Sequence, residues 1–220
     1  MRALRILLVV AVDRVAVWFA ESEVEGRVQV TGATIGSTDV SIKGFPFLTQ
    51  VAGSQLDEVD VEITGIETDS NGRRIRISRM NAALHEVRLA DGYSSATAAR
   101  ATGTVLISYE DLTQAAGEGV VVAYGGDGKV KVTGTVDVLG NPLSRSVRST
   151  VTLVDGHILK VRADKVPGEG IPGLEGLVRK KTDFEREVGG LPSGLELKEI
   201  RPTAEGVEIS VVGKDVRLAG

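Results

Sequence analysis

The sequence has no cysteine, only two histidines and only eight aromatic residues: four Phe, three Tyr and one Trp in 220 positions. Without cysteine there is no disulfide framework and no thiolate zinc site. Two imidazoles cannot build a three-histidine metal centre within one chain. The formal charge of −4 lacks the basic excess with which a general nucleic-acid binder displaces counterions. No nucleophile elbow, phosphate-binding loop or dinucleotide fingerprint occurs. Long apolar runs are missing too. Ile6 to Val12 is apolar, but Asp13 and Arg14 interrupt it. Such a run rises about 10 Å as a helix, against a hydrocarbon core of roughly 30 Å. What is abundant is valine, 32 residues, and glycine, 27 residues, within 42% hydrophobic and 25% charged composition. That mixture predicts many strands joined by tight turns around a sizeable core, in a protein that binds rather than catalyses.

Residues 1–28 stand apart from the rest. Arg2 and Arg5 precede the apolar run in the manner of a signal or anchor segment, yet no small-x-small cleavage site follows. The other reading is an amphipathic helix packed on the domain through Val15, Trp18, Phe19 and Ser22. Residues 29–220 read as one domain, with no linker and no repeat period. Val59, Val61 and Ile63 alternate with Glu58, Asp60 and Glu62, a half-buried strand with an acidic outer face. Asn71-Gly72 is a hairpin turn. Beyond it the apolar parity changes between Ile77 and Met80, which predicts a bulge near Ser78-Arg79, and again before Val87. A bent, coiled sheet accommodates such a long run better than a flat one. Ser108 can cap a short helix from Tyr109 that Gly117 ends. Gly125-Gly126-Asp127-Gly128 and Asp155-Gly156 are turns between strands. Ile171, Leu174, Leu177 and Val178 recur at helical spacing, and Arg179, Lys180 and Lys181 suit the last turn of that helix. Further strands are predicted near 183–188, 195–200 and 206–212.

Candidate chemistry is sparse. His85 and His157 lack any recognisable nucleophile partner. Asp57, Glu58, Asp60 and Glu62 are spread along a strand rather than gathered in a calcium loop. Arg73, Arg74, Arg76 and Arg79 could meet anionic headgroups or pair with the acidic strand across the hairpin. The segment GFPFLTQ at 44–50 stands out, because Phe45 and Phe47 bracket Pro46. Proline places it at a sheet edge or bend. Its two rings could plug the end of a core or line a mouth that receives an acyl chain.

At this motif the chain resembles the actinobacterial LmeA-like phospholipid-binding proteins of the cell envelope. The resemblance rests on DRVA (13–16), GFPFLTQ (44–50) with Asp57-Glu58-Val59, ISYEDL (107–112), VTGTVDVLG (132–140) and LPSGLEL (191–197), in that order. It implies an α+β, mostly β, tubular-lipid-binding-like fold: a long coiled antiparallel sheet wrapping a helix, with an apolar groove. It also implies binding of phospholipids, including anionic ones, at a membrane surface, export to or attachment at the envelope through the N-terminal segment, and support of lipoglycan assembly. The leading apolar run is shorter than the family's usual signal or anchor.

On this reading the protein is non-catalytic and needs no cofactor or metal. It binds or transfers phospholipid by burying acyl chains between sheet and helix. Phe45, Phe47, Leu48, Leu174, Leu177 and Val178 are the expected apolar lining, and Arg179, Lys180 and Lys181 the headgroup candidates. The alternative is a structural envelope domain that docks a partner protein through a sheet edge. The sequence names no protein partner.

Overall fold

The computed structural model describes residues 2–26, 33–70, 73–138, 141–166, 183–187 and 194–218. Helix α1 (Arg2–Glu25) comes first. Short strand β1 (Ala33–Thr34), β2 (Ser37–Lys43), helix α2 (Phe47–Ala52), β3 (Gln55–Ser70), β4 (Arg73–Ala90) and β5 (Ser95–Ser108) follow. Helix α3 (Tyr109–Ala116) leads into β6 (Val120–Gly126), β7 (Lys129–Val138), β8 (Asn141–Val154) and β9 (Ile158–Ala163). The last described strands are β10 (Phe184–Glu187), β11 (Leu195–Pro202) and β12 (Gly206–Leu218).

The described strands form two antiparallel sheets. One runs β1-β3-β4-β5-β12-β11, with β2 also on β3, and the other runs β10-β9-β8-β7-β6. Helix α1 packs on the larger, curved sheet, which is the tubular-lipid-binding-like arrangement. Its core joins Val17 of α1 and Phe47 of α2 to Val40, Ile42, Leu56, Val59, Leu84, Val87, Ala98, Ala101 and Val216. A smaller cluster of Val147, Ala163 and Val166, with Val132 against it, belongs to the second sheet.

The larger sheet bends in an unusual way. In a regular strand, residues three apart lie on opposite faces. Yet Leu56 and Val59, Leu84 and Val87, and Ala98 and Ala101 all enter the same core. The pairing shows why. Leu56 pairs with Val87 and Glu58 with His85, so the ladder passes over Asp57 and Glu86. It passes over Ala99 in the same row on β5, and over Asp215 on β12. Glu86 (φ 52°) and Asp215 (φ 49°) adopt left-handed backbone there. Four strands thus turn over together while keeping register.

A second such row corrects the bulge expected at Ser78-Arg79. The parity does change there, but β3 changes opposite it at Gly65 (φ 63°), and pairing continues from Thr64↔Arg79 to Ile66↔Ile77 without offset. No extra residue sits on one strand alone, as a bulge requires. True register shifts occur between Leu197 and Glu199 on β11 and between Tyr124 and Gly126 on β6.

Two outer strands carry side-chain cover on their free edges. On β2, the amides of Val40 and Ile42 donate to Glu25 Oε1 (3.1 Å) and Glu21 Oε1 (2.7 Å) of α1. On β6, the Val122 amide donates to Thr113 Oγ1 of α3 (2.9 Å), and that hydroxyl donates to the Val122 carbonyl (3.2 Å). Such covers block edge-to-edge pairing, and they weigh against partner docking at these two edges.

Candidate functional site

The segment 44–50 leaves the end of β2, bends at Gly44, and enters α2 at Phe47. Gly44 has φ 95°. A Cβ there would be strained by that backbone and would lie 2.5 Å from Gln50 Nε2 and 2.8 Å from Asp57 Oδ2, displacing both side-chain ends. Gln50 ties the segment to both neighbouring strands: its Nε2 donates to the Lys43 carbonyl (3.3 Å) and its Oε1 accepts from the Asp57 amide (2.8 Å).

Pro46 occupies the N-cap of α2 and has no side-chain oxygen to offer the first amides. Asp13 of α1 supplies one. Its Oδ1 accepts from the Leu48 amide at 3.0 Å, and it is only 1% exposed. Arg14 Nη2 donates to Asp13 Oδ2 (3.0 Å) and to the Gly44 carbonyl (3.1 Å). The Arg14 guanidinium also sits 5.7 Å from the Phe45 ring centroid. Burial pushes the Asp13 carboxyl up, but the Leu48 amide, Arg14 and the Phe47 amide together hold it below its ordinary value. DRVA, GFPFLTQ and Asp57 are therefore one physical unit.

The expected site residues divide. Phe47 is 5% exposed and belongs to the core. Phe45, at 57%, and Leu48 project outward. Leu174, Leu177, Val178, Arg179, Lys180 and Lys181 lie outside the described residues.

Helix α1 corrects the expected packing face. Val15, Trp18 (62% exposed) and Phe19 (63%) point away from the sheet, as does Val12. The sheet instead receives Asp13 and Val17, with Ala16 and Ala20 beside them. The reason is polar. Asp13, Glu21 and Glu25 share the stripe of Val17 and each must reach an otherwise unpaired amide. Ala16 and Ala20 let the helix come close enough to do so. In the sequence Asp13 and Arg14 read as an interruption of an apolar run and as part of the DRVA mark of the family, with no partner named for either. A charged pair in such a run was itself the signal that both must find partners.

The remaining candidates are bound into surface networks. Lys43 pairs with Asp60 (3.5 Å), Arg79 with Glu62 (3.9 Å) and Arg76 with Glu67 (3.9 Å), so the acidic strand and part of the arginine run meet across the hairpin. His85 Nδ1 is 3.5 Å from Glu58 Oε2, and exposed His157 hydrogen-bonds through Nδ1 to the Asp155 carbonyl (2.6 Å). Among the described residues no group of three or more His, Asp or Glu is placed to hold a metal ion. Two open hollows are lined by more polar than apolar residues. One of 660 Å³ lies over Asp60, Glu62, Asn81, Thr102, Thr104 and Ser210; one of 640 Å³ lies over Thr150, Thr152, Lys160 and Arg162. Neither includes Phe45, Phe47 or Leu48.

Residues 11–212 fit the family model described as LmeA-like phospholipid-binding. No curated protein and no solved structure matches the chain. The matched span contains the Asp13–Arg14 latch, the 44–50 segment it holds and the described strands of both sheets up to Val212 in β12, and over that span the chain belongs to the LmeA-like phospholipid-binding family.

Proposed function

We propose that the protein is a non-catalytic phospholipid-binding protein of the cell envelope. It takes up acyl chains between α1 and the curved sheet and supports envelope lipid assembly. Family membership gives the ligand class. The observation that carries the mechanism is the α1 interface. Valine, isoleucine and leucine of β2, β3, β4 and β12 share one core with alanines of β5, and α1 joins it beside β2 and α2 through Val17, with Ala16 and Ala20 packed against it. A helix that presents small side chains covers such a face shallowly, so a lipid chain slipped beside it gains contacts the helix does not make. Each methylene buried contributes about 0.8 kcal/mol, so one chain of ordinary length offsets the ordering cost of binding. Phe45 and Leu48 stand at the rim of this interface, and Phe47 forms its floor. Leu174, Leu177 and Val178 are proposed as the opposite wall, with Arg179, Lys180 and Lys181 at the headgroup.

Native mass spectrometry of the purified full chain tests this. The expected result is a bound phospholipid that survives purification or loads from vesicles, with anionic lipids retained preferentially. A chain that stays lipid-free after incubation with vesicles overturns the proposal.

A further inference from the structure

We infer that α1 does not merely cover the sheet but is the face by which the folded protein lies on a phospholipid bilayer. The inference rests on the phospholipid-binding reading and adds where and how the membrane is met. Val12, Val15, Trp18 and Phe19 form one stripe of α1, all exposed, on the side away from the sheet. The Trp18 and Phe19 rings meet edge to face, 5.1 Å between centroids. One turn before Trp18, Arg14 holds Phe45 beside the stripe, and Asp13 holds Leu48, both exposed. Monomeric soluble proteins rarely expose an apolar patch of this kind without a partner.

The occupant is argued from charge and shape. The first half of α1 carries Arg2 and Arg5, and its sole acid there, Asp13, is buried and neutralised by Arg14. The other acids, Glu21, Glu23 and Glu25, gather at the far end, two of them occupied with β2 amides. A basic segment with an adjoining aromatic stripe fits an anionic lipid surface, with the rings at headgroup depth. Among the described residues no helix is long and apolar enough to cross a membrane, and the proposed contact is the exposed stripe laid along the surface. Docked this way, exposed Phe45, held beside the stripe by Arg14, lies next to the bilayer at the rim of the interface proposed to take the acyl chain.

Trp18 is the only tryptophan in the chain, so its fluorescence reports this face directly. The full chain is mixed with phosphatidylcholine vesicles, with and without phosphatidylglycerol. Docking predicts a blue shift, loss of iodide quenching, and quenching by lipids brominated near the headgroup, all stronger on the anionic vesicles. Phe19→Asp, at an exposed position, should keep the wild-type melting temperature and lower vesicle partitioning by about tenfold or more. Loading of monomeric short-chain phospholipid, followed by native mass spectrometry, should be unchanged in that variant. Trp18 remaining open to iodide on every vesicle, in protein that still loads short-chain lipid, overturns docking while leaving lipid binding intact. Loss of loading in wild type overturns the underlying reading instead. A Trp18 already shielded in a dimer without lipid makes a second copy the occupant and also overturns the inference.

Discussion

Asp13 shows how one carboxylate can decide the facing of a helix. It is buried only because the Leu48 amide and Arg14 compensate it. Asp13→Ala should lower the melting temperature by several degrees and loosen 44–50, visible as faster amide exchange at Leu48. The pH dependence follows from the sign. The native value lies below the ordinary 3.8, so the stabilisation is fully present above that value and disappears as pH falls through the lower native one. Thermal melts of wild type and Asp13→Asn should differ near neutrality and converge in acid. Tyr109 gives the opposite case. Burial, then the nearby Tyr124, pushes its phenol up to about 12, while its hydroxyl donates to the Thr203 carbonyl at 2.7 Å. Its contribution is complete below the ordinary value of 10.0 and is lost as pH rises towards the native one; absorbance titration should show this tyrosine ionising late. The two phenylalanines of 44–50 separate as well. Phe47→Ala empties a core position and should cost about 3–5 kcal/mol in urea unfolding, whereas Phe45→Ala should stay within about 0.5 kcal/mol. Phe45 and Leu48, not Phe47, are thus the positions at which lipid uptake can be tested in a folded protein.

At the scale of elements, α3 was readable from its own residues and α1 was not. Ser108 accepts from the Asp111 amide (3.1 Å) and donates to its carboxylate (2.6 Å), which Ser78 also meets (3.0 Å). The cap itself lies within four consecutive residues, and a sequence shows that. Ser108→Ala should cost about 1 kcal/mol, read from urea denaturation. The facing of α1 depends on partners far along the chain: Leu48 for Asp13, Ile42 for Glu21, Val40 for Glu25. Hydropathy alone turns its bulkier stripe inward, because periodicity carries no information about which distant amides lack acceptors. The 44–50 segment was legible as a bend and as a family mark, but its helical second half was not, since the residue that caps it lies in α1. Glu21→Ala combined with Glu25→Ala tests the covering role of α1. With the β2 amides uncovered, the variant should self-associate, measured by light scattering on a sizing column against wild type.

For the whole molecule, the parity changes in β4 were visible in sequence, but their coordination was not. One strand's pattern says that it turns over; only its neighbours say whether they turn with it. Here Asp57, Glu86, Ala99 and Asp215 lie in one row, so the apolar face continues through the bend and α1 meets one surface rather than two half-surfaces. A bend shared by four strands tolerates changes of residue type but not of residue number. Asp215 is exposed with φ 49°. Asp215→Gly suits that backbone and should stay within about 1 kcal/mol of wild type, while Asp215→Val should lose about 1–2 kcal/mol. Deleting Asp215 is different in kind. β12 would then lack the out-of-phase residue its neighbours keep, so either Val216 and Leu218 or the run from Val207 to Gly213 must turn to the polar face. The deletion variant should be insoluble or molten, scored by soluble yield and near-ultraviolet circular dichroism, beside a folded Asp215→Gly control. A soluble deletion variant that melts like wild type would mean that β12 bends independently, and that the apolar face offered to α1 ends at β5.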